Sequence, residues 1–380
     1  MKIVTIIGAR PQIIKAAALS RAIQTHCADR IQEVIVHTGQ HYDDNMSQVF
    51  FDELGIPKPD YNLHVGSAAH GVQTARMIEG IERILLDEQP DCIVLYGDTN
   101  STLAGAVAAS KIHVPVVHIE AGLRSFNKAM PEEINRIVCD HCSTLLFSPT
   151  QAGIDNLLKE GFPMENNGPY TIDNPKVYHC GDIMYDNSLH FSTIADQKAD
   201  LLKRLGLVGK PYALATLHRD GNTDHRERLS AITEALLELA KDIAIVLPMH
   251  PRTRKMVDLL LEESVKEQLF HSENIHVTEP VSFLEMIQLE KHSQLVLTDS
   301  GGVQKEAFFF QKPCVILRPE TEWVEIVKAG TAVLADAEPG KIIEASRRYL
   351  LQPPVDFPAI FGDGHAAEFM LDKIQMLQQP

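Results

Sequence analysis

The chain lacks the sequence signatures of tightly bound cofactors. The loop after the first predicted strand, residues 8–12 (GARPQ), has neither the G-x-G-x-x-G spacing of a dinucleotide site nor the pattern of a P-loop. The six cysteines are scattered, and the single C-x-x-C, Cys139 and Cys142, falls late in a helical pattern without a second Cys or His pair at zinc-site spacing. We therefore expect no cofactor and no metal.

Long apolar runs and positive charge are also scarce. No apolar stretch reaches the roughly 20 residues that span a bilayer, and no basic segment with an apolar run precedes the first strand. Lys plus Arg number 35 against 51 Asp plus Glu, a net charge of −16. This balance argues against nucleic acid or an anionic membrane as a partner, although a local basic site could still hold a small anion. With cysteines that suit a reducing compartment, we expect a cytoplasmic protein.

What the chain does contain is a repeated alternation of short apolar runs and helical periods. Apolar strands separated by helices indicate an α/β fold with parallel sheets covered on both faces, and 380 residues suffice for two such domains. We predict Rossmann-like domains over residues 1–175 and 176–363 that face each other, with the active site in the cleft between them and a last helix, 364–380, that packs back on the first. The predicted strands are residues 2–7, 34–37, 92–96, 115–119 and 145–147 in the first domain, and 176–179, 212–216, 243–247, 275–277, 295–297 and 314–317 in the second.

One segment of the second domain suggests a phosphate site. The predicted strand 295–297 is followed by a turn that contains Ser300, Gly301 and Gly302. A serine N-cap and bare glycine backbone there allow an anion to approach the first N–H groups of a helix. Glu306, one turn into that helix, could accept hydrogen bonds from ribose hydroxyls. In the first domain, Arg10 offers a fork suited to a diphosphate. The alternatives are a plain capped turn and a surface arginine.

Carboxylates follow neighbouring strands of the first domain. Glu120 comes directly after a predicted strand, Asp98 follows another after one glycine, and Glu132 opens the next helix. Several carboxylates at one edge suit acid/base chemistry, because a proton that moves between two faces of a substrate needs a group on each. Each could instead be a helix-capping acid. In the second domain, His218 and Arg219 could bind phosphate or assist a leaving group.

Seven motifs in this order resemble those of the non-hydrolysing UDP-N-acetylglucosamine 2-epimerases. They are GARP (8–11), TGQH (38–41), GDT (97–99), EAGLR (120–124), PEEINR (131–136), TLHR (216–219) and TDSGG (298–302). The resemblance runs from the first residue to the C-terminal helix. It implies a two-domain GT-B fold and a reaction that eliminates UDP to a 2-acetamidoglycal and adds it back with carbon 2 inverted.

The resemblance also implies roles for the residues that match. Three carboxylates would be the acid/base groups, His218 would aid the departing diphosphate, and the remaining matches would hold UDP without a metal or redox cofactor. The acid/base group comprises Asp98, Glu120 and Glu132, and the UDP group comprises Arg10, Arg136, Arg219, Ser300, Gly301, Gly302 and Glu306. The family also implies a homodimer.

Departures from the family pattern point to one branch. Where the branch activated by its own substrate has Arg and a Gln or Glu, this chain has Val72 and Asp43, and Gly221 replaces an acid before Asn222. Lys305 and Trp323 replace the usual Glu and Arg of two further motifs. These variants resemble the branch that acts on UDP-2,3-diacetamido-2,3-dideoxyglucuronate, a precursor of bacterial surface polysaccharides.

Four other functions remain compatible with these residues. A GT-B glycosyltransferase would share the fold and the UDP site, but would act only with an acceptor. A nucleotide-sugar sensor could keep Arg10 and Ser300 and dispense with the acids. A hydrolysing 2-epimerase or an enzyme for UDP-N-acetylglucosamine itself would differ in product or substrate.

Overall fold

The structure, a computed structural model, describes residues 1–39 and 57–378. Asp43 therefore lies outside the described residues. The chain divides into two compact units, the first formed by Met1–Asn187 with the chain from Ile360 onward and the second by Ser188–Ala359. Each unit is an α/β unit built on one parallel sheet. Within the described parts of the chain, no helix is both long and apolar enough to cross a membrane.

Among the residues that the structure describes, the sheet of the first unit has seven strands in the order β3-β2-β1-β4-β5-β6-β7. Its central strands are buried on both faces because helices cover both sides, which explains their continuous apolar sequence. The strands are β1 (Lys2–Ile7), β2 (Gln32–His37), β3 (Tyr61–Asn62), β4 (Cys92–Tyr96), β5 (Val116–Ile119), β6 (Leu145–Ser148) and β7 (Lys176–His179). The helices are α1 (Arg10–Ala22, continued by a π turn, Ile23–Cys27), α2 (His70–Glu88), α3 (Asn100–Lys111), α4 (Pro131–His141), α5 (Gln151–Lys159) and α6 (Ile183–Lys198).

The sheet of the second unit has six strands in the order β10-β9-β8-β11-β12-β13. Its strands are β8 (Tyr212–Thr216), β9 (Ala244–Pro248), β10 (Ile275–Thr278), β11 (Leu295–Thr298), β12 (Cys314–Ile316) and β13 (Ala332–Leu334). Its helices are α7 (Leu201–Arg204), α8 (Asp220–Thr223), α9 (Arg226–Leu239), α10 (Pro251–Leu260), α11 (Glu263–His271), α12 (Phe283–His292), α13 (Gly301–Phe309), α14 (Val324–Lys328) and α15 (Pro339–Leu351). The short strands β3 and β13 are absent from the sequence prediction, since two or three residues carry little periodicity.

The predicted boundary between residues 175 and 176 is wrong by one strand. β7, assigned to the second domain from the sequence, pairs with β6 in the first sheet, with Leu145 opposite Lys176 and Ser148 opposite His179. It was misassigned because the Pro- and Asn-rich stretch before it resembles a domain linker, whereas it is a loop within the first unit. The two units divide inside α6, after Asn187.

The chain returns to the first unit at its end. The last helix, α16 (Ala366–Ile374), packs against α1 and continues into a short 3₁₀ turn. The buried carboxylate of Asp186 accepts hydrogen bonds from the N–H groups of Ala366 at 3.1 Å and Ala367 at 2.8 Å. These N–H groups lie at the free start of α16, so Asp186 fixes the helix there.

In both sheets the strand order reverses at one place. β1 has β2 on one side and β4 on the other, and β8 likewise lies between β9 and β11. The loops that follow such neighbouring strands diverge and leave a crevice at the carboxyl edge of the sheet, the usual ligand position in open α/β folds. The loops after β1 and β4 carry GARPQ and Asp98, and those after β8 and β11 carry His218 and Ser300.

Candidate active site

In the first unit, hydrogen bonds to a buried side chain fix the conformation of the loop after β1. The buried Gln12 side chain accepts hydrogen bonds from the N–H groups of Gly8 at 2.9 Å and Ala9 at 3.2 Å, and its amide donates to the Tyr96 carbonyl at 3.0 Å. A methyl group at Gly8 would lie 2.1 Å from the Ser101 hydroxyl oxygen, so only glycine fits. Arg10 follows, exposed, in the first turn of α1.

Asp98 is anchored by Arg136 from helix α4. Arg136 donates to one Asp98 carboxylate oxygen through Nη2 at 2.6 Å and Nε at 3.0 Å, and its Nη1 reaches the Glu133 carboxylate at 3.0 Å. The Asn135 amide donates to the Asp98 carbonyl at 2.9 Å. Two neighbouring side chains of α4 thus hold both the backbone and the side chain of Asp98 by hydrogen bonds.

Glu133 is a structural acid. Its buried carboxylate accepts the N–H groups of Ser125 at 2.8 Å and Phe126 at 3.0 Å in addition to Arg136. Burial alone would raise the pKa of Glu133, but these donors outweigh it and lower the pKa. Its neighbour Glu132 lies exposed in the same first turn. Of these two adjacent acids, Glu132 is therefore the one available to a ligand.

Glu120 is held in an unusual backbone conformation. Its φ is +77°, in the left-handed region that a residue with a side chain seldom adopts, and such strain is common where a side chain must be aimed. The Glu120 carboxylate forms an ion pair with Lys15 of α1. Gly97 makes room for this pair, because a methyl group there would lie 3.2 Å from Lys15 Nζ and 3.3 Å from a Glu120 oxygen. The residue after Gly97 is Asp98, so both acids lie at this edge of the sheet.

In the second unit, a buried carboxylate organises the loop after β8. Asp299 accepts the backbone N–H groups of His218 and Arg219, each at 3.1 Å, and the amide of Asn222 at 3.1 Å. The imidazole Nδ1 of His218 lies 3.5 Å from the same carboxylate and is partly exposed. Burial lowers the pKa of His218 despite the attraction of Asp299, which leaves a neutral imidazole near neutral pH.

The predicted phosphate turn forms the N-terminus of α13. Ser300 is its N-cap and accepts the Val303 N–H at 3.5 Å, a long hydrogen bond. The indole N–H of Trp323 donates to the Gly301 carbonyl at 3.0 Å and so braces the turn from one side. Gly302 is exposed, and a methyl group there would meet nothing closer than the Ser300 hydroxyl at 3.8 Å.

Two charged side chains of α13 lie beneath this turn. Lys305 is only 5% exposed, and its ammonium lies 4.3 Å from the centre of the Trp323 ring. Glu306 contacts the fully buried Glu290, whose pKa is raised well above the usual value by burial and then by the charge of Glu306. Lys305 therefore does not point into solvent as a surface lysine would.

Comparisons with known proteins identify the family and the fold of the chain. The profile of the UDP-N-acetylglucosamine 2-epimerase family matches residues 23–375. The chain belongs to this family. It is 49% identical to the UDP-2,3-diacetamido-2,3-dideoxy-D-glucuronate 2-epimerase of Pseudomonas aeruginosa, over 99% of this chain and 100% of that protein.

Solved structures of the family share the fold. The UDP-GlcNAc 2-epimerase of Methanocaldococcus jannaschii, in complex with UDP-GlcNAc and UDP, is 40% identical with a TM-score of 0.81 and 99% coverage of both chains. The enzyme of Neisseria meningitidis bound to UDP-GlcNAc is 29% identical with a TM-score of 0.80, over 99% of this chain and 100% of the other. The predicted family and the two-domain α/β fold of the GT-B type are confirmed.

Sequence reasoning gave no role at the site to several residues that the structure places at these edges. Lys15, Asp299 and Trp323 each contact a predicted site residue or its backbone. Lys15 lies on α1 and its partner is 105 positions away along the chain, so no local pattern could reveal the pair. Asp299 had a signal, since it immediately follows a buried strand between Thr298 and the cap Ser300.

Proposed function

We propose that the protein epimerises carbon 2 of a UDP-linked acetamido sugar without hydrolysing it. The observation that carries this proposal is the pairing of two acids with two fixed cations, Asp98 with Arg136 and Glu120 with Lys15, after the adjacent strands β4 and β5. Proton removal and return at one carbon requires groups that are already oriented before the substrate arrives. Membership of the 2-epimerase family supports the same reaction.

The acids of the first unit would perform the proton transfers. Glu132, exposed in the first turn of α4, joins Asp98 and Glu120 as a third candidate acid/base group. Lys15 and Arg136 would hold the carboxylates of their partners in a fixed orientation, so that the oxygens that accept or return a proton are already in place. Elimination of UDP would give the 2-acetamidoglycal, and protonation of carbon 2 from the opposite face with return of UDP would complete the inversion.

The second unit would hold the diphosphate leaving group. The free N–H groups of Gly301 and Gly302 at the start of α13 suit an anion, with His218 and Arg219 on the neighbouring loop. A neutral imidazole at His218 could donate one hydrogen bond to the departing phosphate. Glu306 would accept from the ribose hydroxyls, and Arg10 of the first unit would pair with the diphosphate. That the two sets of residues serve one substrate molecule stays a prediction.

Product analysis in heavy water without an acceptor tests the reaction. Because carbon 2 loses and regains a proton, the epimer should carry deuterium at carbon 2, and UDP should not accumulate. Strict dependence on an acceptor sugar would favour a glycosyltransferase. Release of free sugar and UDP would favour a hydrolysing enzyme, and binding of UDP-sugars without turnover would favour a sensor.

The substrate we propose is UDP-2,3-diacetamido-2,3-dideoxy-D-glucuronate, the substrate named for the relative at 49% identity. A uronate carries an additional carboxylate, so its site needs more positive charge than that of a neutral sugar. Lys305 supplies one positive charge beneath the phosphate turn. Since Lys305 is buried against Trp323, its charge would act through the turn rather than by direct contact with the sugar.

A comparison of kcat/KM for two substrates tests this specificity. We expect the diacetamido uronate to be epimerised to the manno-configured product and UDP-N-acetylglucosamine to be a poor substrate. Equal or better use of the neutral sugar would contradict the specificity and leave the family reaction standing.

We further propose that the protein is a cytoplasmic homodimer. All six cysteines are free thiols, which suits a reducing compartment. Light scattering would measure the mass in solution, and cell fractionation with a cytoplasmic marker would test the location.

A further inference from the structure

A fully buried histidine lies between the two loops that carry Asp98 and Glu120. His118, on β5, has no exposed side-chain surface. Its Nε2 lies 2.8 Å from the Gly97 carbonyl oxygen, and its Nδ1 lies 2.6 Å from Oδ1 of Asp140, which is also fully buried. The imidazole therefore spans from the backbone next to Asp98 to a carboxylate of helix α4.

Asp140 in turn holds the loop that follows Glu120. Its Oδ2 accepts the Gly122 N–H at 3.1 Å and lies 2.7 Å from Arg124 Nη2. Nη2 of Arg124 also forms an ion pair with Glu160, at 2.7 Å from its Oε2. The cluster His118–Asp140–Arg124–Glu160 thus carries two positive and two negative charges and is neutral as a whole when His118 is protonated.

Both nitrogens of His118 donate hydrogen bonds. The Gly97 carbonyl can only accept, and Asp140 beside Arg124 is a carboxylate, so each ring nitrogen faces an acceptor. Burial alone would lower the pKa of His118, but Cys139 and the Asp140 carboxylate outweigh it and raise the pKa well above the usual value. Asp140 fixes the orientation of the ring, as a carboxylate commonly does for a histidine.

The geometry points to His118 as a positioning residue for the proposed epimerisation, whose hydrogen bond to the Gly97 carbonyl sets where the Asp98 and Glu120 carboxylates lie. Gly97 is the common point, because it precedes Asp98 and its open face adjoins the Lys15–Glu120 pair. His118 itself is enclosed and reaches no substrate. This inference rests on the proposed function and adds a residue that acts through others.

Two substitutions separate the hydrogen bonds of His118. In His118→Gln the amide nitrogen can occupy the place of Nε2 and still donate to Gly97, whereas in His118→Asn the shorter side chain reaches only Asp140. Both remove the ring and its charge, so their melting temperatures should fall to a similar extent. We expect kcat at least about tenfold lower in His118→Asn than in His118→Gln, with KM for both within about threefold of the wild type.

A third variant covers the case in which His118→Asn does not fold. In Asp140→Asn, the amide can donate to Nδ1 and leave the Nε2–H on Gly97, so kcat should stay close to that of His118→Gln. The matched control is Asp186→Asn, a buried carboxylate of the same unit that holds α16, which should lower stability and leave kcat unchanged.

The outcomes divide clearly. Equal kcat in His118→Gln and His118→Asn, or a kcat in folded Asp140→Asn tenfold below that of His118→Gln, would overturn the positioning role. A wild-type enzyme without epimerase activity would instead refute the proposed function. Crystal structures of the variants then decide the inference separately: the Gly97 carbonyl and the Asp98–Arg136 pair should move in His118→Asn and stay in place in His118→Gln.

Discussion

The two units fix their candidate site residues by different means. In the first, side chains hold side chains: Arg136 grips Asp98, and Lys15 grips Glu120. In the second, side chains hold the backbone: Asp299 accepts hydrogen bonds from N–H groups of the loop after β8, and the Trp323 indole donates to the Gly301 carbonyl of the turn. The first edge fixes charged side chains by ion pairs in addition to the backbone, whereas the contacts at the second edge fix chiefly the path of the main chain.

This difference fits a division between chemistry and binding. Proton transfer is efficient when charged groups are oriented before the substrate arrives, which the ion pairs of the first unit achieve. An anion at a helix N-terminus needs free N–H groups and no side chain in the way, which the braced turn with its exposed Gly302 provides. Variants of the paired acids in the first unit should therefore change turnover, and variants of the turn in the second unit should change affinity for UDP.

The largest effect is expected at the acids. Asp98→Asn, Glu120→Gln and Glu132→Gln should each lower kcat by at least about a hundredfold, the usual scale for an acid/base group. UDP affinity, measured by calorimetry, should stay within about threefold of the wild type because the proposed diphosphate turn lies in the other unit. Glu79→Gln, at an exposed acid on α2, is the control. Near-normal turnover of a variant that carries both glutamine substitutions would refute the assignment.

The complementary effect is expected at Gly302. A methyl group has room in the free protein but would occupy the path of a phosphate, so Gly302→Ala should weaken UDP binding by about tenfold and leave stability unchanged. Gly340→Ala is the matched control, since Gly340 also lies in the first turn of a helix, α15, with open space around it. Unchanged UDP affinity in Gly302→Ala would mean that the phosphate does not approach this turn.

The same difference explains what the sequence could reveal. Strands such as β4 and β8 were predicted with their observed bounds because parallel strands buried on both faces are continuous apolar runs. The turn with Ser300 and Gly302 was predictable because a capped turn depends on residues that are consecutive in the sequence. Lys15 and Asp140 were not, since their partners Glu120 and His118 are distant in the chain and only the fold brings them together. β7 was assigned to the wrong sheet because strand pairing has no local signal.

A smaller effect is expected where charge lies beneath the turn. Lys305→Met keeps a flexible side chain against Trp323 and removes the charge, so it should lower kcat/KM for the uronate about fivefold and leave that for UDP-N-acetylglucosamine unchanged. Exposed Lys328→Met serves as the control. An equal loss for both substrates would show that Lys305 supports the turn and has no part in specificity.

The smallest effect, none at all, is expected for activation by substrate. The buried Gln73, which follows Val72, is used inside the first unit: its amide donates to the Gly66 carbonyl at 2.8 Å and accepts from Asn100 at 2.8 Å. Val72 beside it is exposed and carries no charge to bind a second anionic nucleotide. Initial rates should therefore follow a hyperbola with substrate concentration, and the reverse reaction should start without added forward substrate.

Val72→Arg, which has space at an exposed helical position, tests whether charge alone restores regulation. Because both ends of the Gln73 amide stay occupied, we expect the rate of this variant to remain hyperbolic in substrate concentration too. A sigmoidal curve for the wild-type enzyme would show that the edge of the first unit that carries the acids also binds a regulatory nucleotide. That result would contradict the division of roles between the units.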